Sequence, residues 1–335
     1  MCVTHPPHVL LSSRDLLRCR RAKGGFFISD AEASLAKTPF NKQPQTPEQL
    51  LEKLQAQGLV VPVGEEEKAL AYFRYVGAYR LKGYWFHLVD PVSKAFPSGW
   101  LFQNLADRYE FDRELRAATI EAIDRLEVAI RSVMANYLSL KHTPHWFINP
   151  AVFKPTRDWG IGQLIRKIED EVRRSDGKDG KRFVAHYYER HDQPYLPPSW
   201  SVSECVSFGF WSRTYGILSD PHDKKAICKR FRVDQPETFQ SWIHTLTVIR
   251  NIAAHHGQFL RVKLGVAPAN YKTGCLKFQD QKSFYAAATI INYLLTQTAL
   301  PQRWKTNLRD IFLRYPTVSP ADLGFPRDWE RQPGW

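Results

Sequence analysis

The stretch VIRNIAAHHGQFL, residues 248–260, closes a helical pattern with an arginine, an asparagine and two adjacent histidines, then meets a glycine. Arginine binds carboxylates and phosphates through a fork of charged N–H donors. Asparagine both donates and accepts hydrogen bonds. Histidine is the side chain most often used to move protons in catalysis. Arg250, Asn251, His255 and His256 are therefore the residues of this chain whose types and spacing suit acid–base work.

A helical projection separates the two histidines. With Trp242 as the reference direction, Leu246, Ile249, Ala253 and His256 fall within about 40° of it. That is a core stripe, and His256 on it reads as a buried or half-buried packing residue. His244, Thr247, Arg250, Asn251, Ala254 and His255 span an arc centred about 150° away. A solvated face usually carries Lys and Glu, whereas this one carries hydrogen-bonding and proton-handling side chains. Gly257 fits the position after a helix end, which leaves His255 in the last turn, near the negative end of the helix dipole. Arg250 and His255 stand about 140° apart on a regular helix. Either the arginine reaches round, or the helix opposes a second copy and the groove between copies holds both residues twice.

The elements that must position these residues are helical. In TPEQLLEKLQAQGL, Thr46 can cap, Pro47 suits the first helical position and Gln49 completes a capping box; Gly58 ends the helix. Another begins near GEEEKALAYFRYVGAYRL, with its glutamates at the positive end of the dipole, and the pattern breaks at Gly83. The longest pattern covers 105–140, where Leu115, Ala118, Ala122, Leu126, Ile130, Val133 and Tyr137 step by three and four. A polar helix is expected over 161–174, and further helices over 181–190, 200–218, 222–231, 236–256, 280–298 and 303–314. Strand signals are few, so the fold class is all-α, a bundle with additional N-terminal helices. Residues 1–45 read as a loose basic arm whose composition leaves the natural start of the chain open. Residues 46–315 read as the helical domain, and 316–335 as a loop-like tail with aromatics suited to dock on the body.

Composition narrows the partners. The formal net charge is +13, which attracts polyanions. The five cysteines are scattered without CxxC spacing, which argues against a disulfide framework or zinc site and for a reducing cytoplasm. No stretch reaches the roughly 18 apolar residues of a membrane span, and AAATIINYLLTQTAL (286–300) reads as a buried helix. The acidic runs at 65–67 and 169–171 are consecutive and point in different directions on a helix. Adjacent histidines do not easily share one zinc. With no Gly-rich phosphate loop and no nucleophile elbow, no metal or cofactor is expected. Glu127, in RLEVAIR, reads first as a surface carboxylate between Arg125 and Arg131. If the long helix packs on the motif helix, Glu127 instead pairs with Arg250 and holds it. Trp159, Trp200, Trp211 and the HWF at 145–147 are the candidates for base stacking, though such aromatics more often pin helices together. RCRRAK (18–23) and KKAICKRFR (224–232) are basic clusters that can follow a nucleic-acid backbone.

The segment around Arg250 resembles the R-x4-6-H motif of HEPN-type ribonucleases, with a polar residue straight after the arginine. The wider chain resembles the Abi-type abortive-infection family, its AbiD/AbiF-like group. The resemblance rests on YRLKGYWF (79–86), YEFDRELRAATIEAIDRLEVAIRS (109–132), PPSWSVSECVSFGFWSRTYGIL (197–218) and SWIHTLTVIRNIAAHHGQF (241–259), and covers about residues 45–300. Members of that family continue after the histidines with a short stretch ending in Trp-Asn-Arg, where this chain reads GQFLRVK. The resemblance implies a HEPN-like helical bundle, a homodimer with a composite site, and metal-independent RNA cleavage in phage defence. It implies Arg250 and His255 as the catalytic pair and Asn251 as their polar neighbour; an antitoxin, as a small RNA or a neighbouring protein, is a candidate partner that the sequence does not name. A non-catalytic protein that holds a regulatory RNA, or senses a phage component, would carry the same basic face. A DNA-binding regulator would instead use the short helices at 47–82 and prefer duplex DNA at matched salt.

Overall fold

Thr46 caps the first helix, α1 (Pro47–Ala56), as its spacing from Gln49 predicts: the Gln49 N–H donates to the Thr46 hydroxyl and the Thr46 N–H to the Gln49 side chain. The computed structural model describes residues 39–176 and 181–335. The expectations for residues 1–38, the RCRRAK cluster among them, lie outside the described residues. The second expected helix is divided. α2 (Glu66–Tyr72) passes through a π turn, Phe73–Gly77, into α3 (Ala78–Lys82). Gly77 takes φ 91° there, a backbone shape that a side chain disfavours.

α4 (Phe102–Lys141) is a single helix of 40 residues. Leu115, Ala118, Ala122, Leu126 and Ile130 are buried on it as the stripe predicts, and the seam continues through Met134 and Leu138, while Val133 and Tyr137 are half-buried. Phe111, Thr119 and Ile123 are also buried, because α4 is covered on more than one side. The helices that follow are α5 (Ile161–Ser175), α6 (Arg182–Arg190), α7 (Ser199–Val202), α8 (Phe208–Ile217), α9 (Pro221–Lys229), α10 (Pro236–Ala254), α11 (Phe284–Gln297) and α12 (Trp304–Arg314). The expected 200–218 helix is interrupted at Ser203–Ser207, so its halves α7 and α8 pack independently on α4. α10 lies against both α4 and α8, and α11 and α12 cover another side of α4. The described residues contain isolated bridges but no strand, so the fold is an all-α bundle. The tail docks through its aromatics: Phe325 packs on Tyr285 and Phe312, and Trp335 stacks on Tyr285 and donates its indole N–H to Thr289. Residues 45–335 form one unit. No helix among the described residues is long and apolar enough to cross a membrane.

The loop that leaves α10 is tied down by a buried charge. Asp112, fully buried on α4, accepts the backbone N–H groups of Phe259 and Leu260 at 3.0 Å each through one carboxylate oxygen. Its other oxygen accepts the Tyr84 hydroxyl at 2.8 Å and the guanidinium of Arg116, one turn along. Arg116 also reaches the Gly257 carbonyl at 3.4 Å. Burial pushes the Asp112 carboxyl up, and Arg116, the hydroxyl and the amides oppose that shift. Beside this cluster the Gln258 amide donates to the carbonyls of Gly83 and Leu260. A Cβ on Gly83 would fall 2.4 Å from the Gln258 side-chain oxygen, so glycine is what admits the amide against the chain there.

Two stability predictions follow from this region. Asp112→Ala leaves Arg116 buried without a counter-charge, and is expected to cost about 3–5 kcal/mol in chemical denaturation; a cost near 1 kcal/mol would contradict the anchoring role. His87, half-buried, has its ring Nε2 enclosed without a partner among the described residues. Burial, then Arg261 and Arg108, push it down to about 4 from its ordinary 6.5. The folded state thus resists protonating this ring more than the unfolded chain does. The associated stability is present above pH 6.5 and is lost as pH falls toward 4. His87→Gln should flatten that part of the stability-against-pH curve, and an unchanged slope would rule the contribution out.

Candidate functional site at the end of α10

Close packing fixes α10 before any polar contact does. Trp242, Leu246, Ile249 and Ala253 are buried, as the projection requires, and Ile243 and Thr245 are buried as well against α8 and α4. The approach to α8 is tight: a Cβ on Gly209 would touch Thr247 at 3.5 Å, and one on Gly216 would crowd Gln240 at 3.1 Å. The opposite arc faces outward. His244, Asn251, Ala254 and His255 are exposed, Thr247 is half-buried and the Arg250 side chain is 42% exposed.

The helix ends earlier than expected, and this corrects the assignment of His256. Ala254 is the last helical residue and His255 the C-cap. The Gly257 N–H bonds the Ile252 carbonyl at 2.7 Å, and the His256 N–H bonds that of Ala253 at 3.1 Å. This is a Schellman closure, with His256 in the left-handed position at φ 58°, a place usually given to glycine. The turn swings His256 away from the core direction, so it is exposed rather than buried. Gly257 serves a different need: a Cβ there would lie 2.7 Å from the Ile252 side chain. Arg80 of α3 clasps the turn from outside and donates to the His256 carbonyl at 2.7 Å.

Glu127 departs from its first reading as a surface carboxylate. α4 does pack on α10, and the Glu127 carboxylate lies 3.9 Å from the Arg250 Nε with only 14% of its side chain exposed. Burial raises its pKa, while Arg250 and then Arg131 pull it back, and the backbone N–H of Phe208 at the start of α8 adds to that pull. The distance makes this an ion pair rather than a hydrogen bond. Arg131 donates to Glu204 at 2.8 Å. Asn251 and His255 follow one another by a single turn on one face, and their side chains make no hydrogen bond among the described residues. Arg250 and His255 do not bond each other. The structure thus brings together Arg250 and Glu127, sets Asn251 and His255 side by side, and turns His256 onto the surface.

Other candidates separate by burial. Trp146, Phe147 and Trp211 are core residues, Trp159 lies under the Arg213 guanidinium, and Trp200 is 52% exposed. In KKAICKRFR, Ile227, Cys228 and Phe231 are buried while Lys225, Lys229, Arg230 and Arg232 face out, which is the pattern of a solvated helix face. Cys205, Cys228 and Cys275 are free thiols. Among the described residues no group of His, Cys, Asp and Glu side chains is gathered as a metal site. Sequence reasoning missed Asp112 and Arg116, which place the loop after the histidines. Their signal was a charged i, i+4 pair on the apolar side of the long helix. Arg80 also went unnoticed, and its surface exposure left no pattern to find it by.

The site is therefore the C-terminal end of one helix in an all-α bundle, with an arginine braced by a carboxylate from the central helix. The family model described as Abi-like protein matches residues 71–261, more than half of the chain, with α4, α10 and the histidine turn inside the match. The chain belongs to the Abi-like protein family. Membership points to a part in abortive infection, a defence against phage. No curated protein and no solved structure matches the chain.

The left-handed histidine carries its own prediction. His256→Gly removes a backbone penalty of about 1 kcal/mol and should raise the denaturation midpoint accordingly. A lower midpoint would mean that the His256 side chain contributes more than the strain costs.

Proposed function

We propose that the chain is a metal-independent endoribonuclease of the HEPN type, AbiD/AbiF-like, acting in abortive infection as a homodimer. The observation that supports this best is the braced Arg250 beside an exposed, uncommitted Asn251 and His255. RNA supplies its own nucleophile. The 2′-oxygen attacks the adjacent phosphorus as its proton passes to a base; the P–O5′ bond breaks, and a proton goes to the departing 5′-oxygen. The products are a 2′,3′-cyclic phosphate and a 5′-hydroxyl. His255 handles one of these protons. Arg250, oriented by Glu127, binds the scissile phosphate and offsets the charge that grows on it. Asn251 orients the ring or a phosphate oxygen. Arg250 and His255 diverge around the helix, so a second copy facing the first supplies the complementary residue across the groove. An RNA or protein antitoxin keeps such an activity silent in an uninfected cell.

The test is incubation with end-labelled RNA in EDTA. The wild type is expected to cut and to leave cyclic phosphate ends, with DNA of the same sequence intact. Arg250→Ala and His255→Ala should each slow cutting by about 10²-fold or more. Equal rates in wild type and the double variant would sink the reading; tight RNA binding without cutting in any protein would favour a binding function.

A further inference from the structure

A concavity of about 450 Å³ opens beside the histidine turn, between the α2–α3 segment, α4 and the end of α10. Its two kinds of wall are unusual together. The apolar part includes Val76, Ala117 and Ile120, and Ile120 is 40% exposed. Tyr75 stands at the rim, 81% exposed, on the π turn between α2 and α3. The cationic part is Arg80, Arg113 and Arg116, the last neutralised by Asp112. Arg113 is engaged by Glu110 and, at 3.9 Å, by Glu114. Arg80 has no carboxylate partner among the described residues. Its one recorded bond is to the His256 carbonyl, which leaves N–H donors free for an anion. An exposed aromatic ring and an apolar floor next to an unneutralised guanidinium match a nucleotide unit: a π face for the base and a charge for its phosphate.

We propose that this concavity is a subsite for a nucleotide of a single-stranded RNA flanking the cleavage point, with Tyr75 stacking on the base and Arg80 holding a phosphate. The inference rests on the ribonuclease reading and deepens it by locating where the strand runs. Arg80 has a double role in it. The guanidinium that receives the phosphate also grips the turn carrying His255 and His256, so an occupied subsite and a correctly set histidine turn favour each other. The π turn suits such a task, because it displaces Tyr75 from the regular helical path.

The experiment measures RNA binding to the full chain in an uncleaving His255→Ala background, by fluorescence anisotropy. The probes are labelled twelve-nucleotide oligo(A) and oligo(U), in EDTA, over a range of salt concentrations. Tyr75→Ala should weaken binding about tenfold with an unchanged salt slope, as loss of a stack does. Arg80→Gln should weaken it similarly and lower the slope by about one, as loss of a phosphate contact does; Arg80→Lys should keep most of the slope. Tyr75 is on the surface, so its variant tests the subsite even if Arg80→Gln loosens the turn. Titration with AMP separates a free-nucleotide pocket from a strand subsite: saturation by AMP with unaltered oligonucleotide binding overturns the proposal. Unchanged oligonucleotide affinity in both variants, beside a wild type that cuts RNA, overturns the subsite and leaves the nuclease reading standing. A shift in sedimentation without a change in affinity assigns the concavity to contact between copies and overturns it as well. A wild type that neither binds nor cuts RNA removes the ribonuclease reading itself.

Discussion

A carboxylate with no access to water must be compensated on every side or the fold loses several kilocalories. Asp112 meets that demand by drawing in groups from three separate stretches of the chain: Tyr84 from the turn after α3, Arg116 from α4 itself, and the amides of Phe259 and Leu260. The last pair matters most for the site, because those amides belong to the chain immediately after His255 and His256. The turn that carries the histidines is thus held from behind by Asp112, while Arg80 grips it from outside. The loop GQFLRVK is held by its backbone amides, which any residue but proline can supply.

The polar face of α10 is shaped by what its other faces cannot give up. Close contact with α8 through Gly209 and Gly216, and burial of Trp242, Leu246 and Ile249, fix the rotation of the helix about its own axis. Arg250 then has one partly enclosed direction in which to find a counter-charge, and Glu127 occupies it. Because the carboxylate is itself shielded, it interacts with the guanidinium more strongly than an exposed pair would. Arg80 closes the opposite end by gripping the backbone rather than a side chain.

Much of this could be read from the residues, and the failures have definite causes. The capping box of α1, the buried stripe of α4 and the apolar α11 followed from local spacing, which tertiary contacts then reinforced. The end of α10 did not. A glycine directly after the expected helix end looked like the left-handed closure, but Gly257 is needed for its small volume against Ile252, and the left-handed place fell to His256. That single displacement turned a supposed core histidine into a surface one. The break between α7 and α8 was hidden because Ser203 to Ser207 carries no proline or glycine. Arg250, Asn251 and His255 stood out by type, whereas the pairing of Glu127 depends on which helices touch, and one helix's periodicity contains no such information.

Two supports of the site lie on α4. Glu127 braces the arginine, and Asp112 holds the loop beyond the histidines, fifteen residues back along the same helix. At the rise of an α-helix these anchors are about 22 Å apart, and the rod between them sets where the braced guanidinium stands against the anchored loop, much as a gauge block sets the gap of an instrument. Long helices curve gently rather than stay straight. A bend of a few degrees over that span shifts one anchor against the other by about 1 Å. The side chains that hold α4, those of α11 and α12 among them, therefore belong to the tolerance of the site, and α11 acts on it twice, since its Phe284 also packs on Phe259 of the anchored loop.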